Sequence, residues 1–155
     1  MKKIIHVLFV SMLALMLFAC TPTAKAEIIE FDVSVSVFGL VEVELTQDDF
    51  NQMPFVEATI TRTGRDGAEL VYQVKGVRLS DVLAYLDVNP VSILLEASDG
   101  YSQTYDETIY NDELTILAFF NDGEMLSEED GPIWLLAGNA TGNFWIRQLA
   151  KINLE

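Results

Sequence analysis

The chain has 155 residues, a formal net charge of −15, and hydrophobic side chains at half of its positions. This length and apolar content suit a single domain with a sizeable core. The excess of 24 acidic over nine basic residues repels nucleic acid and anionic lipid head groups. The composition therefore argues against a nucleic-acid partner and against a polyanionic ligand, and its acidity keeps a domain soluble.

The first twenty residues have the pattern of an export signal. Lys2 and Lys3 precede an apolar run over residues 4–18, and Ala19 precedes Cys20. A basic start, a short apolar run and a small residue before the cut are typical of a signal peptide. The run is shorter than the roughly 20 residues that cross a bilayer as a helix. Cysteine directly after the small residue resembles the bacterial lipobox, in which the cysteine is acylated and becomes the mature N-terminus.

Cys20 is therefore predicted to be a lipid anchor. It would hold the exported chain in the bacterial cell envelope, on the outer, non-cytoplasmic side of a membrane, because two or more acyl chains give stable attachment. The alternative is an ordinary signal peptide cut near Ala24 or Ala26, which would discard Cys20. In both cases the mature chain has no usable thiol, since the sequence contains one cysteine. The predicted organisation is a signal peptide at 1–19, a lipidated tether at 20–29 and one domain at 30–155.

The predicted domain begins with strands. Residues 30–45 alternate apolar and polar side chains with period two and contain a central glycine, which is typical of two strands and a turn. Thr46 followed by Asp49 has the pattern of a capping box and predicts a short helix that ends before Pro54. Two further alternating segments flank the glycine-rich residues 64–67, which predicts a hairpin.

The second half mixes one helix with more strands. Residues 77–88 have helical spacing, with Ser80 as the predicted N-cap. The apolar run at 91–98 predicts a strand that is buried on both faces. Further strands are predicted at 101–106, 114–120, 131–138 and 150–155, with a helical turn or strand near residue 144. Two or three short helices among many strands indicate a mixed, strand-rich α+β fold.

Five stretches carry a family resemblance through their order and spacing. They are ATITRTG at 58–64, KGVRLSDVLAYL at 75–86, SDGY at 98–101, ILAFFNDGEMLSEEDGP at 116–132 and WIRQLAKINLE at 145–155. Together they resemble the catalytic domain of the sulfite oxidase family, the molybdopterin-dependent oxidoreductases. The resemblance implies an α+β domain that, in the enzymes of the family, holds molybdenum through a pyranopterin dithiolene and one protein cysteine.

The residue at the implied metal position departs from the family's pattern. The ligand cysteine of the family falls at the end of the strand that matches ATIT, where this chain has Arg62. A guanidinium has no lone pair for a metal, and the soft thiolate has no substitute elsewhere in the mature chain. The resemblance thus suggests molybdopterin as the cofactor, while Arg62 argues against molybdenum binding. We predict no metal ligand and no catalytic residue, and the sequence favours a protein that is not an enzyme.

The resemblance also implies where a ligand or cofactor would lie. Arg147 matches a basic position in the C-terminal block, and the turn at residues 99–101 would line the cofactor cleft. The predicted cofactor-binding residues are therefore Arg62, Asp99, Gly100, Tyr101 and Arg147. Asp99 and Gly100 have an alternative role, because Asp-Gly also supplies a positive-φ turn between strands.

Other groups have more ordinary explanations. The acidic residues 127–130 could bind calcium, but their spacing is not that of an EF-hand and an exposed loop explains them. Trp134, Phe144 and Trp145 could form a pocket for a planar ligand, although aromatic side chains more often lie in the core. A Ser-His-Asp arrangement is excluded because the only histidine, His6, leaves with the signal peptide.

Three functions remain open on the sequence alone. The first is an envelope lipoprotein whose molybdopterin-oxidoreductase-type domain has lost catalysis and binds a small ligand or an envelope protein partner. The second is an oxidoreductase that keeps a molybdopterin-type cofactor without a protein thiolate and acts on a small oxidised substrate. The third is a structural envelope subunit. Arg62 and the lack of a mature thiol favour the first.

Overall fold

The structure is a computed structural model that describes residues 32–64 and 66–155. The predicted signal peptide, Cys20 and the tether lie outside the described residues. Within those ranges the chain forms two β-sheets, three short helices and one 3₁₀ turn. No helix in the described part of the chain is long and apolar enough to cross a membrane.

The first sheet contains five strands. Their spatial order is β2 (Val43–Thr46), β1 (Ser34–Gly39), β10 (Leu149–Leu154), β5 (Ser92–Ala97) and β6 (Ser102–Asp106). β1 pairs in parallel with β10, and the other neighbours are antiparallel. The parallel pair joins the first and last strands of the described domain. The C-terminal strand β10 lies between β1 and β5, so the sheet is complete only when β10 is in place.

The second sheet is antiparallel. Its order is β3 (Phe55–Thr63), β4 (Glu69–Arg78), β7 (Thr115–Asn121) and β8 (Glu124–Met125), and β9 (Trp134–Ala137) also pairs with β7. β3 and β4 form the predicted hairpin in an unbroken register from Phe55 opposite Val77 to Thr63 opposite Glu69. Side chains from both sheets form one continuous hydrophobic core.

The helices are short connections between strands. They are α1 (Gln47–Phe50), α2 (Leu79–Tyr85) and α3 (Glu107–Tyr110), and the 3₁₀ turn covers Gly142–Phe144. α1 confirms the helix predicted after Thr46. The predicted N-cap of α2 is wrong: the cap is Arg78, with extended φ and ψ of −70° and 147°, and Ser80 lies inside the first turn. The reason is that β4 pairs with β7 as far as Arg78, so the helix begins as soon as the chain leaves the sheet.

β5 also differs from its prediction. Ile93, Leu95 and Ala97 are buried, but the residues between them are only half-buried. The continuous apolar run therefore does not bury both faces. β5 belongs to an antiparallel sheet with one face on the core and one toward solvent, which produces this alternation. The prediction of a strand-rich α+β fold is confirmed.

Candidate functional site

A cleft opens where the end of β3 meets the loop after β9. Its volume is about 650 Å³, within the usual range for small-molecule sites. The two chain segments that line it are Thr61, Arg62, Thr63 and Gly64 on one side and Ala140, Thr141, Gly142 and Asn143 on the other. Three of these residues carry hydroxyl groups and one carries a carboxamide. We call the second segment, residues 140–143, the cleft loop.

Arg62 is the charged residue of this cleft. Its guanidinium carbon lies 4.9 Å from the centre of the Trp145 ring, which is the geometry of a cation–π contact. It also packs against the cleft loop: a Cβ added at Gly142 would be 2.8 Å from Arg62 Nη1. The Arg62 guanidinium has no ion pair or hydrogen bond with any other residue in the described part of the chain. The guanidinium is therefore held by packing, and its donors have no acceptor among those residues.

Arg62 packs on a cluster of three aromatic side chains, Trp145, Trp134 and Tyr72. Trp145 contacts Trp134 and Tyr72 edge-to-face, with ring centroids 5.8 and 5.5 Å apart, and Trp134 lies 5.2 Å from Tyr72. Trp145 Nε1 donates to the Ala137 carbonyl at 3.0 Å. Trp134 and Trp145 are only 3% and 8% exposed. The expectation that these indoles belong to the core is confirmed, and little of either ring is open to a ligand.

Arg147 lies at the other end of this aromatic cluster. Its guanidinium carbon is 5.4 Å from the centre of the Trp134 ring. Its Nη1 is 2.8 Å from Glu129 Oε1, and its Nε is 2.8 Å from Asp130 Oδ1. Arg147 is not among the residues that line the cleft. The structure thus separates the two arginines of the predicted site, and Arg147 is already paired with the acidic loop.

The predicted turn at residues 99–101 reaches the cleft indirectly. Gly100 has a φ of +87° and joins β5 to β6, while Asp99 Oδ1 accepts a hydrogen bond from the Tyr101 amide at 2.9 Å. Tyr101 Oη donates to the Asn143 carbonyl of the cleft loop at 2.6 Å. Asp99 and Gly100 shape the turn, and Tyr101 fastens the cleft loop to the first sheet.

A second tyrosine fastens the same loop. Tyr105 Oη donates to the Phe144 carbonyl at 2.5 Å, directly after the cleft loop. Burial raises the pKa of Tyr105 well above its ordinary value. Its hydroxyl therefore stays protonated and remains a donor at any physiological pH. Two tyrosines from one strand region thus position the backbone that faces Arg62.

The sequence analysis did not predict that the cleft loop or the end of β3 would line a site. The one local indication of the cleft loop is the small-residue stretch at 138–142, but this stretch lacks the lysine and the strand–loop–helix context of a phosphate loop. Thr141 Oγ1 hydrogen-bonds Asn143 Oδ1 within the cleft loop. Thr61 and Thr63 lie about 80 residues away in sequence, so no local pattern connects the two sides.

The donor groups at the end of β3 do not fit a thiolate-held molybdenum. Arg62 offers a protonated guanidinium where the metal would need a soft anionic ligand. Its neighbours Thr61 and Thr63 carry neutral hydroxyl groups and project from the opposite face of β3, so neither replaces the thiolate. No group of three or more His, Cys, Asp or Glu side chains in the described ranges is arranged to hold a metal ion.

Comparison with known proteins supports the fold. No family model and no curated protein matches the sequence. Among solved structures, the chain is similar to one in the crystal structure of the sulfane dehydrogenase SoxCD from Paracoccus pantotrophus, with a TM-score of 0.68 and 21% identity. The match covers 82% of this chain and 40% of that chain, so this chain spans less than half of its length. The fold is therefore sulfite-oxidase-like.

Proposed function

We propose that this protein is a binding module of the bacterial cell envelope that has kept a sulfite-oxidase-like fold and lost molybdenum catalysis. It would be exported, anchored to a membrane through Cys20, and bind a small ligand or an envelope protein partner. The observation that carries the proposal is Arg62, which occupies the position where the family resemblance implies the metal's thiolate ligand.

The surroundings of Arg62 favour anion binding at this position over metal ligation. The guanidinium packs on the Trp145 ring and against Gly142, so it fills space beside the end of β3. The guanidinium is a fixed positive charge that offers no lone pair, so it cannot take the place of the thiolate. The same charge attracts an anion. The site is thus better suited to anion binding than to metal chemistry.

The sequence supports the envelope location. Twelve positions separate Cys20 from Asp32, where the described domain begins. An extended chain of that length reaches at most about 40 Å. A lipid-anchored domain on this tether would work close to the membrane surface, where an envelope partner would also lie.

Metal and pterin analysis tests the proposal. The full chain would be produced in a bacterium that makes the molybdenum cofactor, then measured by elemental analysis and by pterin fluorescence after oxidation. We expect molybdenum and pterin contents far below one per chain. Arg62→Cys is the companion variant, because it returns a thiolate to the position, and its molybdenum content should exceed that of the wild type. Stoichiometric molybdenum in the wild type would contradict the proposal and favour the oxidoreductase alternative.

A further inference from the structure

Arg62 differs from the other described cations in its lack of a carboxylate partner. Each of the others has a carboxylate oxygen within 4 Å: Lys75 with Glu57, Arg78 with Asp81, Arg147 with Glu129 and Asp130, and Lys151 with Glu96. In a chain with 24 acidic residues, an arginine without such a partner in the described ranges is unexpected. Arg62 is the cation that lines the cleft.

Packing also holds the Arg62 guanidinium in one orientation before a ligand binds. Its guanidinium lies on an indole that is itself fixed by the hydrogen bond from Trp145 Nε1 to Ala137. Gly142 provides a flat backbone surface beside Nη1. A side chain already held in one pose loses less conformational entropy on binding, which favours affinity. The planar fork of donors matches the two oxygens of a carboxylate.

The charge and lining of the cleft narrow the class of ligand. One guanidinium can neutralise one negative charge, and the net charge of −15 opposes a dianion or polyanion. The polar side chains of the cleft loop, Thr141 and Asn143, suit hydroxyl or amide groups. Thr61 and Thr63 project from the face of β3 opposite to Arg62, because side chains alternate along a strand. The buried indoles leave little ring surface for stacking an aromatic ligand.

We propose that the cleft binds an organic monocarboxylate that also carries hydroxyl groups, with its carboxylate on Arg62. This inference rests on the proposed function as a binding module and names the chemistry of its ligand. Thr141 and Asn143 of the cleft loop contact the hydroxylated body of the ligand, and Tyr101 and Tyr105 hold the backbone of residues 143 and 144 in place.

A titration with matched probes tests this inference. Glucuronate is the probe, and glucose is its neutral control because it lacks only the carboxylate. The readout is the change in the ¹⁵N–¹H NMR signals of Arg62 Nε–H and of the Gly142 amide in the full chain. We expect glucuronate to shift both signals saturably, glucose to leave them unchanged, and sulfate to bind more weakly than glucuronate.

Three variants locate the binding. Arg62→Gln should weaken glucuronate binding about ten- to hundredfold, the usual range for losing a charge-assisted hydrogen-bond pair. Gly142→Ala should weaken it while keeping the charge, since the added methyl would press on Nη1 and the backbone at Gly142 has no positive φ to forbid alanine. Arg78→Gln removes the same charge from a surface ion pair outside the cleft and should bind as the wild type does.

The inference is wrong if glucose shifts the same signals as strongly as glucuronate, if glucuronate gives no saturable shift, or if Arg62→Gln binds as well as the wild type. The titration uses a sample whose molybdenum content has been measured. A flat titration on metal-free protein overturns the ligand class and leaves the proposed function standing. Molybdenum in the sample overturns the proposed function, whatever the titration shows.

Discussion

Gly76 shows how one residue decides how closely two strands approach. It lies in β4 at a register shift against β7, between Lys75 and Gly76. A Cβ at this position would overlap the Leu117 carbonyl oxygen and lie 2.7 Å from Ala118 Cα. Both neighbours are backbone atoms of a buried strand, so they cannot turn aside as a side chain could. Glycine is therefore required by close backbone approach.

We expect Gly76→Ala to lower the free energy of unfolding by about 3 kcal/mol or more, because the new methyl must push β7 away from β4. Urea unfolding followed by circular dichroism measures the loss. Gly123→Ala is the matched control: nothing lies within 4 Å of a Cβ there, but its φ is +82°, so alanine should cost about 1 kcal/mol through backbone strain alone. Equal losses in the two variants would show that backbone approach at Gly76 is not limiting.

At the scale of elements, α1 depends on one carboxylate. Asp49 Oδ2 accepts hydrogen bonds from the Thr46 amide and the Thr46 hydroxyl, both at 2.8 Å. Asp49 Oδ1 accepts a third from Tyr85 Oη of α2 at 2.9 Å. Burial disfavours the ionised form, but these hydrogen bonds outweigh it and hold the pKa of Asp49 below its ordinary value of 3.8. The four-residue helix α1 is thereby joined to α2 by a side-chain hydrogen bond.

We expect Asp49→Asn to destabilise the fold by about 1 kcal/mol at neutral pH, the usual contribution of a helix cap. Because the folded pKa is the lower one, the ionised carboxylate stabilises the native state above the unfolded pKa, and this is lost as the pH falls through the folded pKa. The difference between wild type and variant should therefore be largest above pH 5 or so and shrink below about pH 3.8.

Urea unfolding at several pH values measures this difference. Asp48→Asn is the control, since it removes the same charge from the first turn of the same helix without the bonds to Thr46 and Tyr85. If Asp48→Asn and Asp49→Asn had the same cost at every pH, the cap would not be the source of the stability.

At the scale of the whole molecule, the predicted lipid anchor would decide where the acidic domain works. Each buried methylene of an acyl chain contributes about 0.8 kcal/mol to membrane binding. The net charge of −15 contributes repulsion from anionic lipid instead. Membrane attachment would therefore depend on acylation of Cys20, and not on the domain surface.

We expect the wild-type chain to incorporate labelled fatty acid and Cys20→Ser to incorporate none, because serine lacks the thiol that is acylated. Metabolic labelling and mass spectrometry of the mature N-terminus measure this. Thr21→Ser, one position further on, should keep the label. A mature N-terminus after Ala24 or Ala26 would instead establish an ordinary signal peptide.

Features that depend on residues close in sequence could be predicted, whereas features that depend on distant strands could not. The hairpin at residues 64–67 and the helix after Thr46 were predictable because each depends on side chains within a few positions. The predicted N-cap of α2 and the predicted burial of both faces of β5 were wrong, because each depends on which strand lies alongside. Arg62 could be named from its position in a family resemblance, but not its packing on Trp145.

The sequence by itself determined the strand-rich class, the acidic charge and the absence of a mature thiol under the predicted processing, because these follow from local patterns and composition. Only the tertiary structure decided that Arg62 faces a cleft, while Arg147 is paired with Glu129 and Asp130. The two arginines look alike in the sequence. They differ in the fold because Gly142 and the Trp145 indole pack against Arg62, while the carboxylates of Glu129 and Asp130 lie beside Arg147.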